Sequence, residues 1–233
     1  TLTPPSGFTL RGTPAITGGH VLPPLLQAYK QRFPHVHIHL VEESTEKIED
    51  LTARGMVDIS ILALPVEDAR LATRPMLTEP LLLALPRTEC DWMQEEVRAF
   101  VRAASTKQPA SPKPRRSELS LSSLSNAPFI VLKRGYGFRR IVLDLCAENG
   151  FQPQIAYETS SVETAQSLAT YGLGVTLVPN MVARPDGRIH PLYATPCSRP
   201  TRTIVFAYLK ERYLSLSAKA LMDVYDELTR RQS

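Results

Sequence analysis

The 233-residue chain is 43% hydrophobic and 21% charged, with a formal charge of +4. That is the composition of an ordinary globular protein with a core to bury, compatible with an anionic ligand and too weakly basic to argue nucleic-acid binding by itself. No apolar run approaches the roughly 18 residues of a membrane helix, no secretion signal opens the chain, and a first residue of Thr1 reads as the start of a fragment.

In chain order, "GFTLRGT" over 7–13 predicts a strand. Gly18 and Gly19 open a helix to about Phe33, with Leu22, Leu25, Leu26, Tyr29 and Phe33 on one face, and Pro34 ends it. "HVHIHLVE" predicts a second strand with Val36, Ile38 and Leu40 turned to the core. His35, His37 and His39 then share the opposite face. They would bind a metal only with a converging carboxylate or cysteine, which the sequence does not locate, so the reading is a polar outer or interface edge. Ser44 or Thr45 caps a helix that Gly55 stops. "VDISILALP" and "PLLLALP" predict two buried strands, and "DWMQEEVRAFVRAA" an amphipathic helix. Residues 105–118, rich in Pro, Lys and Arg and without apolar content, predict a mobile loop.

Order resumes with the strand "APFIVL", the helix "GFRRIVLDLCAENG" stopped by Gly150, and the strand "QPQIAYE". In "SSVETAQSLATYGLGVTLVP", Ser160 caps a helix and Glu163 completes a capping box. Val162, Ala165, Ala169 and Gly172 give a nearly flat apolar face. Gly172 is the left-handed stop, and the Gly-Leu-Gly turn brings the strand "VTLV" tightly against the helix. "TRTIVFAYL" is a late strand, and the last helix carries Leu216, Ala220, Val224 and Leu228 in register.

Strand-helix alternation on both sides of the 105–118 segment predicts an α/β protein of two lobes. The strand at 80–85 leaves the first lobe and the strand at 203–209 returns to it. Ligands of such folds sit at strand C-termini and helix N-termini. Cys90, Cys146 and Cys197 form an odd, scattered set, which speaks against a disulfide framework or zinc site and for a reducing cytoplasm. Cys146 reads as core packing, with a redox sensor as the lesser alternative. Gly135-x-Gly137 followed by Glu158 imitates a dinucleotide fingerprint, but Arg140 stands where its third glycine is needed. No HExxH, GxSxG or P-loop is present, so no enzyme class, metal or cofactor is called for.

"LPPLLQAYKQRFPHVHIHLVE", "IEDLTARGMVDISILALP", "EPLLLALP" and "SSVETAQSLATYGLGVTLVP", in this order and spacing, resemble the effector-binding domain of LysR-type transcriptional regulators from about Phe8 to Leu228. The resemblance implies two Rossmann-like lobes of the type II periplasmic-binding-protein-like fold joined by two crossing strands. Lobe I covers 8–82 plus 206–233, and lobe II covers 83–205. It also implies a cytoplasmic sensor of a small effector, whose winged helix-turn-helix for DNA lies outside this chain. The 105–118 segment is longer than the family's usual connection.

Three helix N-termini would face the ligand: Ile16-Thr17-Gly18, Tyr136-Gly137-Phe138 and Ser160-Ser161. Free N–H groups and the helix dipole suit them to a carboxylate or other small anion. The resemblance puts Thr17 at the effector site. The hydroxyls of Ser160 and Ser161 either touch the ligand or only cap their helix, and capping is the reading taken for Ser160. Leu64 and Pro65 should line the wall of the first lobe, and Val178-Pro179 should reach the ligand from the second. Arg139, and less so Arg140, either clamps a carboxylate or is a solvated surface charge. Tyr136 and Phe138 either offer a stacking face or belong to the core.

A second stripe on the first helix, Val21, Leu25 and Ala28, asks for a further partner. In the family that helix pairs with residues 138–149 of a second subunit, so a homodimer is expected, with a tetramer open for the full-length protein. No membrane contact is expected. The competing reading is a solute-binding protein of a transport system with the same architecture.

Overall fold

In the computed structural model, residues 13, 15–105, 118–183 and 190–230 are described. The chain divides into two compact units, Thr1–Leu77 with Thr203–Ser233, and Thr78–Arg202. It leaves the first unit within one strand, β2 (Leu71–Leu85), and returns to it within another, β8 (Thr201–Leu209).

In the first unit, α1 spans Ala15–Arg32. It begins three residues before the expected Gly18, so Ile16, Thr17 and Gly18 occupy its first turn. It runs through Pro23 and Pro24, both exposed. Having no N–H, they leave the carbonyls of Gly19 and His20 without a helical donor. Leu22, Leu25 and Tyr29 are buried as expected, whereas Leu26 and Phe33 are only half-buried. Val21 is buried too, so most of the second stripe is already covered within the chain.

The strand expected over 35–42 is not continuous. Ile38 and Glu42 each take part in an isolated bridge, that of Glu42 parallel to Thr13, with the Thr13 N–H donating to Val41 O at 3.2 Å. The rest of the expected first strand lies outside the described residues. Val36 is buried, Ile38 half-buried and Leu40 exposed, and His35, His37 and His39 are all exposed. The helix α2 (Thr45–Ala53) is capped by Ser44, whose side chain accepts from the Lys47 N–H. β1 (Ser60–Ala63) runs antiparallel to β8, Ser60 opposite Ala207 and Ala63 opposite Ile204. Ile48 of α2 packs with Leu62, Val205 and Ala207 to form a core beneath it.

The last helix, α6 (Leu216–Arg230), buries Ser217, Ala218, Leu221, Met222, Val224 and Tyr225. Of the expected register Val224 is buried, but Leu216 is exposed, and Ala220 and Leu228 are only half-buried. The buried stripe is thus displaced one residue around the helix from the expected one, a rotation of about 100°. The cause is the small pair Ser217-Ala218, which lets α1 approach closely enough for the Tyr29 hydroxyl to donate to Ser217 O at 3.1 Å.

The second unit contains α3 (Glu95–Ser105), β3 (Glu118–Leu119), a 3-10 turn over Leu121–Leu124, β4 (Pro128–Leu132), α4 (Gly137–Glu148) and β5 (Gln154–Thr159). There follow α5 (Val162–Thr170), β6 (Thr176–Pro179), a 3-10 turn over Asn180–Val182, and β7 (Leu192–Pro196). The loop expected at 105–118 falls mostly on residues 106–117, outside the described residues, and Glu118 already belongs to β3. β4 and β5 are parallel, and a parallel bridge joins Phe129 to Val175 just before β6. β6 and β7 both run antiparallel to β2.

Ala165 and Ala169 of α5 lie flat on Ile130, which is the use of the small-residue face. The closest approach in the Gly-Leu-Gly turn is between strands rather than between strand and helix. A Cβ on Gly174 would strike the Pro128 carbonyl oxygen, and the next residue, Val175, donates to that same oxygen at 2.9 Å.

Candidate functional site

Because β4 and β5 are parallel and the chain enters β6 parallel to β4, their C-terminal ends share one edge of the second unit. That edge carries the N-terminus of α4 (Tyr136, Gly137, Phe138, Arg139), the Ser160-Ser161 entry to α5, and Val178-Pro179 at the end of β6. Sequence reasoning grouped these residues, and within this unit the topology brings them together. Lys133 N–H donating to Thr159 O at 2.9 Å closes the edge between β4 and β5.

The individual roles differ from several expectations. The N-cap of α5 is Ser161, not Ser160: its Oγ accepts from the Thr164 N–H at 3.1 Å and donates to Glu163 Oε2 at 3.0 Å. With the cap one residue later, Glu163 is only two residues away and meets the cap hydroxyl instead of its N–H, so no reciprocal capping box forms. Ser160 is exposed.

Arg139 is neither a free clamp nor a solvated charge. Its Nη1 donates to Leu132 O at 2.7 Å and to Glu158 Oε1 at 2.5 Å, tying the start of α4 to β4 and β5. Glu158, the acidic residue of the false dinucleotide pattern, is therefore the partner of Arg139. Arg140 pairs with Asp144 one turn along the exposed face. Phe138 is buried, whereas Tyr136 stands half-buried at the N-cap of α4 and makes no side-chain cap bond. Val178 and Pro179 are buried and pair with Leu82 and Leu81 of β2.

In the first unit, Ile16, Thr17 and Gly18 are buried in the opening turn of α1, which contains no acidic residue. A Cβ at Gly18 would meet Thr13 Cγ2 at 2.6 Å and Glu42 Oε1 at 3.2 Å, so packing alone accounts for that glycine. Leu64 and Pro65, joined by a cis peptide bond, are exposed just beyond β1.

Sequence reasoning missed the most buried charges among the described residues of the second unit. Arg202 is 3% exposed and Glu79 6%. Arg202 Nε and Nη2 both reach Glu79 Oε1, at 2.8 and 2.7 Å. The other carboxylate oxygen accepts the Met181 N–H at 2.8 Å. The guanidinium lies 5.6 Å from the centroid of the Phe138 ring and touches Met181 Sδ at 3.5 Å. Burial pulls the Arg202 pKa below its ordinary value, and the Glu79 carboxylate opposes that pull. No local pattern announces this pair, since its members stand 123 residues apart on different strands.

Among the described residues no cluster of three or more metal-ligating side chains occurs, and no helix is long and apolar enough to cross a membrane. Cys146 is buried, and burial pushes its thiol up to about 12, which fits core packing.

Residues 11–230 match the family model of the LysR substrate binding domain. The chain belongs to that family. It is an effector-binding domain of the LysR type, with the α/β, type II periplasmic-binding-protein-like fold. A Bacillus subtilis HTH-type transcriptional regulator, YcgK, is 47% identical over 220 residues, 93% of this chain and 65% of that protein. The chain thus spans a little under two thirds of this relative. Similar solved structures include the Synechocystis PCC6803 CcmR regulatory domain in complex with 2-PG and the BenM effector binding domain with benzoate. The first has a TM-score of 0.75 at 19% identity, covering 97% of each chain. The second has a TM-score of 0.76 at 16% identity, covering 97% of this chain and 93% of that one. LysR membership sets aside the transport solute-binding alternative.

Proposed function

We propose that the domain senses a small anionic effector, a carboxylate or similar group, at the edge of the second unit that carries Tyr136, Phe138 and Ser161; in the first unit the turn of Thr17 is assigned to the effector as well. The observation that carries this reading is the second unit's shared edge, where the N-termini of α4 and α5 end beside each other and the first turn of α4 holds no acidic side chain. The positive end of the α4 dipole favours negative charge there, whereas the first turn of α5 already carries Glu163. Arg139, held by Glu158, is assigned a structural part. The effector complexes of CcmR and BenM support the reading by fold.

The full-length protein is then a cytoplasmic, DNA-binding regulator and not an enzyme. Effector binding shifts the balance between two conformations of the domain. A coupling of about 1–3 kcal/mol would suffice to alter the spacing of its DNA-binding heads. It works as a homodimer that joins α1 to α4 of the second copy. β5 supports this: its outer edge has no strand partner among the described residues, and Ile155 and Tyr157 are 40% and 41% exposed. Sedimentation should give a mass twice that of the chain.

A thermal-shift titration tests the effector class. Benzoate, shikimate and a panel of small mono- and dicarboxylates should include at least one that raises the midpoint with concentration, as ligand linkage requires. A panel in which only the uncharged amides of those acids stabilise the protein would overturn the anionic assignment.

A further inference from the structure

The buried Glu79–Arg202 pair calls for an explanation of its own. A buried ion pair is poor value as a source of stability, because desolvating two charges offsets most of their attraction. Its geometry indicates another use. Glu79 stands on β2 two residues beyond the first crossing between units, and Arg202 on β8 at the second crossing. Between them they contact both ends of the proposed effector edge: Arg202 covers the Phe138 ring at the start of α4, and Glu79 holds the Met181 N–H two residues after Pro179.

We propose that Glu79 and Arg202 form one positioning latch, which sets the Phe138 ring and the Pro179–Met181 turn and ties both to the two strands that carry the chain between units. Neither residue needs to touch the effector. The carboxylate is suited to the task because it has two acceptor oxygens, one for the guanidinium and one for the Met181 N–H. Glutamine at 79 would have one acceptor and one donor and would satisfy only one of the two. The guanidinium is suited because a planar cation can face an aromatic ring while its edge donates twice.

The functional meaning of the latch rests on the effector reading above, but its existence is measurable without any ligand, so the two fail separately. Amide hydrogen exchange on the 233-residue chain is the experiment. The variant Arg202→Met strands a buried carboxylate and is expected to be unstable. The double variant Glu79→Met/Arg202→Met removes both charges and should regain most of the lost thermal midpoint. In the double variant the Met181 amide should still exchange at least tenfold faster than in the unaltered chain, and the Phe138 ring resonances should shift. Gly150, whose N–H bonds Ala147 O at the far end of α4, should keep its rate. Recovery of Met181 protection in the double variant, or an equal acceleration at Gly150, would show that the pair serves general packing and would overturn the proposal.

Discussion

The Tyr29 hydroxyl donates to the Ser217 carbonyl at 3.1 Å, joining the first and last described helices across 188 residues of sequence. The ring also packs on Phe33, centroids 5.0 Å apart, so Tyr29→Phe removes little but the hydroxyl. The expected loss is about 1 kcal/mol in urea unfolding. Burial raises the Tyr29 pKa above its ordinary 10.0. A raised folded-state pKa means stability is complete below pH 10.0 and is lost as the pH climbs past it, and Tyr29→Phe should blunt that alkaline loss.

Two glycines two residues apart should respond differently to alanine. Gly172 has φ +83 and a Cβ there would meet only Cys90 Sγ at 3.3 Å. Gly172→Ala should therefore carry the left-handed penalty, about 1–2 kcal/mol. At Gly174 the added carbon falls on the backbone oxygen of Pro128, which cannot swing away. Gly174→Ala should lower the denaturant midpoint further and speed exchange of the Val175 amide, which bonds that same oxygen at 2.9 Å.

The Arg70 guanidinium and backbone N–H hold the Asp68 carboxyl down to about 2, from an ordinary 3.8. A depressed carboxylate stabilises the fold above the ordinary value and loses that contribution as the pH falls through the shifted one. A carboxyl-carbon NMR titration should place Asp68 near 2. In Arg70→Gln it should return towards 3.8, narrowing the acid loss of stability between those two values.

What could be read from the sequence was whatever depends on near neighbours. Gly55, Gly150 and Gly172 end their helices with positive φ, and each does so because the stop signal is local. The alternation of strands and helices placed α4, α5 and β6 on one edge without coordinates. The failures are cases where a distant partner decides. The stripe of α6 turned because Ser217 and Ala218 admit α1, and Ser161 took the cap from Ser160 because β5 runs on to Thr159. Arg139 resembled a ligand clamp until β5 supplied Glu158. Glu79 and Arg202 drew no reading at all, since nothing within a few residues of either shows that β2 and β8 will bury them together.

The three thiols should separate by labelling. Cys197 is exposed, Cys90 intermediate and Cys146 buried, and burial pushes Cys146 up to about 12, so almost no thiolate is present at neutral pH. Iodoacetamide at pH 8 should modify Cys197 first and leave Cys146 untouched until the protein unfolds. Cys146→Ser would put a hydroxyl in an apolar site and should cost about 1–3 kcal/mol, whereas Cys197→Ser should be close to neutral.

Adjacent serines give the sharpest test of the α5 entry. Ser161 Oγ accepts the Thr164 N–H at 3.1 Å, so Ser161→Ala leaves a first-turn donor without its cap and should cost about 1 kcal/mol. Ser160 is exposed and lies outside that bond, so Ser160→Ala should change stability by less than about 0.5 kcal/mol. Parallel urea curves decide the matter, because unfolding reads the cap directly. Were Ser160→Ala the more damaging of the two, the cap would sit where the capping-box spacing to Glu163 first suggested. The edge formed by α4, α5 and β6 would then present a Ser161 hydroxyl released from the helix to the effector.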